Sequence, residues 1–126
     1  MLRYEEITER IVQGFFAVYN ALGYGFLERV YENALAIELR ERGLKVQQQA
    51  PISVAYKGRQ IGEYYADMLV EECVIVELKA AEALRDENFA QLVNYLRATN
   101  LEVGMLINFG PKPEVRRKLF IHKKSL

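Results

Sequence analysis

From Ile7 the apolar residues Ile7, Ile11, Val12, Phe15, Phe16, Val18, Tyr19 and Leu22 recur at helical spacing, until Gly23-Tyr24-Gly25 interrupts them. This predicts a first amphipathic helix. A second begins near Leu27, with Val30, Tyr31, Ala34, Leu35 and Leu39 as its apolar stripe and Gly43 as its C-terminal cap. Then the period changes. Residues 45–80 break into short β-prone runs punctuated by Pro51, Lys57-Gly58 and Glu71-Glu72, which predicts an antiparallel meander of three strands or more. Helical spacing returns over 85–100, with Phe89, Leu92, Val93 and Leu96 on the packing face and Asp86 in the N-cap region. A short apolar strand follows and ends at Gly110 and Pro111; residues 115–126 read as an edge strand or a basic tail.

The expected fold is therefore α/β, a central mixed sheet flanked by helices, in the order helix, helix, strands, helix, strand, strand. With the meander drawn at four strands this is α-α-β-β-β-β-α-β-β. A helix that joins the Val74–Ala80 strand to the 102–109 strand makes a right-handed crossover, so those two strands are expected to be parallel neighbours. With 126 residues, 51% of them hydrophobic, the chain has the size and apolar content of a single domain over 1–126.

Charge narrows the function classes. Lys plus Arg and Asp plus Glu are 17 each, so no global field draws the chain to a polyanion and nucleic-acid affinity must come from local patches. The one cysteine, Cys73, forbids an intramolecular disulfide and cysteine-rich metal motifs; it is expected to be a small core residue in a reducing compartment. The N-terminal segment carries early acids on a helical period, so it reads as neither signal peptide nor membrane span, and a cytoplasmic location is expected.

The informative stretch is "ADMLVEECVIVELKA", residues 66–80, where Asp67, Glu77 and Lys79 interrupt apolar runs. Charges buried in strands are costly unless paired, hydrogen-bonded or holding a metal. Side chains alternate along a strand, so Glu77 and Lys79 share a face, opposite that of Val74, Val76 and Leu78. Whether Asp67 joins them depends on the turn. A two-residue loop at Glu71-Glu72 places Asp67 opposite Val76; a three-residue loop or a bulge places it opposite Glu77. In the second register two carboxylates repel unless one is protonated or a cation sits between them, which suits a hard divalent ion. The same three residues also fit a static ion pair at a sheet end, with no chemistry.

"AD" at 66–67 with "VELK" at 76–79 resembles the bipartite signature of the PD-(D/E)XK nuclease superfamily, with Ala66 where the literal motif has proline. "GFLERVYENALAIELRERGLKV" carries Gly25, Glu28 and Tyr31 at the spacing that names the GxxExxY protein family, and "QLVNYLRATNLEVGMLINFG" is similar to that family's C-terminal half. The likeness runs from about Tyr4 to Phe120. It implies a restriction-endonuclease-like core, a nucleic-acid substrate and Mg²⁺ or Mn²⁺ as cofactor. By resemblance Asp67 and Glu77 are metal ligands, Glu28 is a third ligand from the helix, and the backbone carbonyl of Leu78 adds a fourth. Lys79 is then expected to stabilise the phosphate in the transition state. Tyr31 is expected to pack with its hydroxyl tied to the site, and Glu32 to face solvent. Gln91 and Tyr95, one helical turn apart, are expected to border the site, Gln91 orienting Lys79 or a phosphate and Tyr95 supporting it.

Basic residues cluster at Arg116, Arg117, Lys118, Lys123 and Lys124, with Lys57 and Arg59 at a hairpin turn; these are candidate backbone contacts. His122 reads as surface. Such a small domain lacks an evident recognition module, so a homodimer or a partner is expected. The competing function is a binding or interaction module that keeps the nuclease fold without turnover.

Overall fold

The computed structural model describes residues 4–122; Lys123 and Lys124 lie outside them. The first helix, α1, spans Tyr4–Leu22, and α2 spans Glu28–Glu41. The strands are β1 (Val46–Tyr56), β2 (Arg59–Val70), β3 (Val74–Lys79), β4 (Val103–Asn108) and β5 (Glu114–Leu119), with α3 (Asp86–Ala98) between β3 and β4. They form one mixed sheet in the order β1-β2-β3-β4-β5. The predicted order holds, and the meander takes its lower count of three because β1 and β2 are long, 11 and 12 residues.

Local chemistry explains the boundaries. At the end of α2, Gly43 sits at φ +86°, its N–H donates to the Arg40 carbonyl and that of Leu44 to the Leu39 carbonyl, a Schellman cap. Between β1 and β2, Lys57 and Gly58 both have positive φ, at +51° and +76°, and Tyr56 faces Arg59. That is a two-residue hairpin turn whose twist matches its strands. As expected, β3 and β4 are parallel, with Val74 opposite Val103 and Lys79 opposite Asn108. The C-terminal segment is an edge strand on β4.

Two apolar clusters sandwich the sheet. On one face α1 and α2 pack Ile11, Phe15, Leu35 and Leu39 onto Met68, Val70, Val76, Leu78 and Ile107. On the other, α3 packs Leu92, Tyr95 and Leu96 onto Ile52, Ala66, Ile75 and Leu106. Cys73 is half-buried against the first cluster.

Tyr31 is fully buried and stacked on Phe109, ring centroids 4.4 Å apart. Its hydroxyl donates to the Gly23 carbonyl at 2.6 Å and accepts from the Phe26 N–H at 3.2 Å. The hydroxyl therefore ties down the α1–α2 connection instead of the site, because the glycine turn leaves those two backbone groups with nothing nearer to bond. Tyr31→Phe keeps the ring and orphans both groups, and is expected to lower unfolding free energy by about 1–3 kcal/mol, read from urea unfolding. An unchanged midpoint would remove this role.

Candidate active site

The turn after β2 decides the site. Glu71 and Glu72 both adopt left-handed conformations, at φ +53° and +57°, and the Cys73 N–H closes on the Val70 carbonyl. Cys73 is then left over, and the strands pair Val70 with Val74, Leu69 with Ile75 and Met68 with Val76. This three-residue loop is the register that sets Asp67 opposite Glu77. Glu71 is held in its unfavourable conformation by Lys45: its N–H donates to the Lys45 carbonyl and its carboxylate accepts the Lys45 N–H at 2.6 Å.

Beyond Met68 and Val76 the backbone ladder stops. Side chains replace it: the Asp67 N–H donates to Glu77 Oε2 at 2.7 Å, and the Leu78 N–H donates to Asp67 Oδ2 at 2.8 Å. Each carboxylate gives one oxygen to the facing backbone, which leaves Asp67 Oδ1 and Glu77 Oε1 over. Within a strand residue the carbonyl points to the same edge as the N–H, so the Leu78 carbonyl is directed at this β2–β3 gap. The side-chain alternation of β2 also shifts here. Met68 and Val70 pack toward α1 and α2, while Ala66 packs with Ile52 under α3. On the neighbouring strand Gln49 stands between the pairs Gln48–Met68 and Ala50–Ala66, at φ +53°.

Burial, strengthened by the Asp67 charge, pushes the Glu77 carboxyl up to about 8. Asp67 is also raised, by burial first and then by the charge of Glu32, against the lowering effect of the Leu78 N–H. Both carboxyls are thus shifted toward the protonated form, and without a cation the pair as a whole favours keeping a proton. Lys79, half-buried on the same face as Glu77, lowers both carboxyls through its charge. Among the described residues its ammonium group makes no ion pair.

From α3, the Gln91 amide donates to the Tyr95 hydroxyl at 2.7 Å. The Tyr95 phenol is pushed up to about 12 by burial and by the charges of Glu77 and Asp67, so it stays neutral and keeps its proton to donate. Gln91 thus orients Tyr95.

Helix α2 departs from expectation. Glu28 is exposed as its first residue, whereas Glu32, expected in solvent, is only 4% exposed. Its Oε2 accepts from Gln48 Nε2 at 2.7 Å and its Oε1 from Gln49 Nε2 at 2.8 Å, with Arg29 Nε at 3.7 Å. One further turn along the helix is what carries an acid from the solvent-facing start to the sheet. The signal in the sequence was the glutamine run at 47–49, too polar for a strand with no partner. Among the described residues no three His, Cys, Asp or Glu side chains gather closely enough to hold one ion.

Asn108 went unnoticed in the sequence. It is fully buried, and its amide clamps Ala81, accepting the Ala81 N–H at 3.0 Å and donating to the Ala81 carbonyl at 2.9 Å. A polar residue closing the apolar run of β4 was the only sign. Next to it, a Cβ on Gly110 would stand 1.8 Å from the Ala81 oxygen, so only glycine fits. Together they fix the chain leaving Lys79.

Among the described residues the predicted basic positions form no single patch. Arg116 and Lys118 face Leu106 and Gly104 on the α3 side, Arg117 faces Met105 on the other side, and Arg116 pairs with Glu114. Lys57 and Arg59 are exposed at the hairpin tip. His122, with a ring nitrogen 2.8 Å from the Leu101 carbonyl, docks the end of the described chain. No helix among the described residues is long and apolar enough to cross a membrane.

No curated protein and no solved structure matches this chain. A family model described as the PD-(D/E)XK nuclease superfamily matches residues 5–118, which include α1 from its second residue, α2, all three strands of the meander, α3 and β4. Over that span lie Asp67 and the Glu77–Leu78–Lys79 tripeptide, one carboxylate on each side of the interrupted ladder, and by this match the chain belongs to the PD-(D/E)XK nuclease superfamily.

Proposed function

We propose that the protein hydrolyses phosphodiester bonds of nucleic acid with the help of a divalent cation. The observation that carries this reading is the opened β2–β3 ladder, where two raised carboxyls face each other with a half-buried lysine beside them. A static ion network would close Lys79 onto an acid; among the described residues the Lys79 ammonium makes no ion pair.

The donor set fits a hard cation. Asp67 and Glu77 each have an oxygen to offer, the Leu78 carbonyl is directed at the same gap, and Mg²⁺ is commonly held by one or two carboxylates with water and phosphate completing the shell. When bound, Mg²⁺ or Mn²⁺ supplies positive charge and makes a coordinated water acidic enough to attack. Glu32, fixed by Gln48 and Gln49, adds negative charge that reaches Asp67 from the helix side and strengthens the pull on a cation. Lys79 neutralises charge developing on the phosphate, and Tyr95, aligned by Gln91, donates a hydrogen bond into the site.

The test is incubation of labelled single- and double-stranded DNA and RNA with the protein in Mg²⁺, Mn²⁺ or EDTA. Cleavage products with either metal and none in EDTA are the expected result. No product on any substrate would favour a binding module that keeps the nuclease fold.

A further inference from the structure

Strand β2 pairs with β3 only over Met68–Val70, so the half of the β1–β2 hairpin beyond Asp67 projects as a two-stranded arm beside α3. Between arm and helix lies an open cavity of about 420 Å³, within the range of small-ligand sites. Its lining includes Tyr64 from the arm and Gln91, Asn94, Tyr95 and Arg97 from the helix. Tyr95, which lines the cavity, also feels the charges of Glu77 and Asp67, so the cavity lies on the side of the sheet toward the proposed reaction centre.

The chemistry of this lining is specific. The Tyr64 ring, 48% exposed, stands tilted against Tyr95 with centroids 5.8 Å apart, which leaves a face open to a flat partner. Arg97 rests its guanidinium over the Phe120 ring at 5.6 Å, and this anchors a cation at the cavity wall. Among the described residues the Asn94 amide has no protein partner, so both its donor and its acceptor are available. An aromatic face, a free amide and a fixed cation are what a nucleobase with its adjoining phosphate requires. A base inside a duplex has its faces covered by its neighbours and cannot enter.

We infer that this cavity is a subsite for an unpaired base, and that the substrate is therefore single-stranded or locally unpaired nucleic acid. The inference rests on the proposed nuclease reading, since it takes its strand from the neighbouring reaction centre. The exposed Lys57 and Arg59 at the tip of the arm extend the path with positive charge.

Fluorescence anisotropy with wild-type protein in EDTA, using labelled single strands and duplexes of equal length, tests it, with Tyr64→Ala and Tyr64→Phe alongside. The single strand is expected to bind about tenfold or more tightly than the duplex. Tyr64→Ala should lose about tenfold on the single strand while Tyr64→Phe holds within about twofold, as loss and retention of one base stack require. The salt slope should be the same in all three, because no phosphate contact is removed. Equal binding of duplex and single strand, no binding to either, or an unaffected Tyr64→Ala would overturn the subsite. Cleavage in Mg²⁺ is scored separately. A Tyr64-dependent preference for single strands without products would uphold the subsite and overturn the nuclease reading; products with no Tyr64 dependence would do the reverse.

Discussion

Lys79→Ala is expected to reduce cleavage by about 10²–10³-fold or more, the cost of removing one preorganised charge from a transition state, with the loss in kcat and Mn²⁺ binding preserved. The separation follows from the geometry. Lys79 shares the face of Glu77 at the C-terminal end of β3 but ties itself to neither carboxylate, so its removal leaves the Asp67 and Glu77 hydrogen bonds in place. Its backbone stays fixed as well, since the Phe109 N–H donates to the Lys79 carbonyl at 2.7 Å and Asn108 clamps Ala81 just beyond. Single-turnover cleavage and Mn²⁺ titration of the variant check both halves. Undiminished turnover would strip Lys79 of its role, and lost Mn²⁺ binding would make it part of the cation site.

Glu77→Gln should raise stability and destroy activity together. The Glu77 carboxyl titrates near 8 in the fold against an ordinary value of 4.5, so between those values the folded chain holds a proton that the unfolded chain has lost. Stability is then fullest below about pH 4.5 and declines as pH rises through about 8. Glutamine fills the same space and still accepts the Asp67 N–H, but carries no charge to desolvate. At pH 8.5 without metal the variant is expected to melt at least about 4 °C above wild type, with the gap closing toward pH 5. Cleavage should fall to background, because a cation held by two carboxylates loses one of them. Differential scanning calorimetry across this range reads the first effect and the cleavage assay the second. A variant less stable than wild type at pH 8.5 would mean that the site is not electrostatically strained. Strain of this kind is expected where function opposes folding, and it also appears in the backbone at Gln49, held at positive φ beside Asp67.

Much of this was readable in the chain, for physical reasons that differ by element. The helices announced themselves because their buried faces repeat at 3.6 residues, and Gly43 ended the second one through a conformation that glycine adopts freely. The parallel pairing of β3 and β4 followed from the helix between them. Glu77 and Lys79 share a face through strand alternation alone. Asp67 was harder, since its place depended on whether Cys73 was counted in the turn, a choice made by two glutamates in left-handed conformations that sequence preferences do not favour. Glu32 was misplaced because an acid beside the apolar stripe of a helix looks solvated; its burial depends on Gln48 and Gln49, sixteen and seventeen residues later. Tyr31 was assigned to the site although its hydroxyl serves the turn that starts at Gly23. Both are long-range or loop contacts, invisible to a periodicity that records only which face is apolar. The tyrosine cavity beside α3 required the arm to project past β3, which strand lengths alone do not reveal.

The central claim is that Asp67 and Glu77 form a cation centre from a pair that holds one proton when empty. Calorimetric titration of Mn²⁺ into wild type and Asp67→Asn at pH 7, in two buffers of different ionisation enthalpy, addresses it directly. Binding by wild type with release of about one proton, and loss of that binding in the variant, is the predicted result. Absence of saturable Mn²⁺ binding, or equal binding by both proteins, would contradict it.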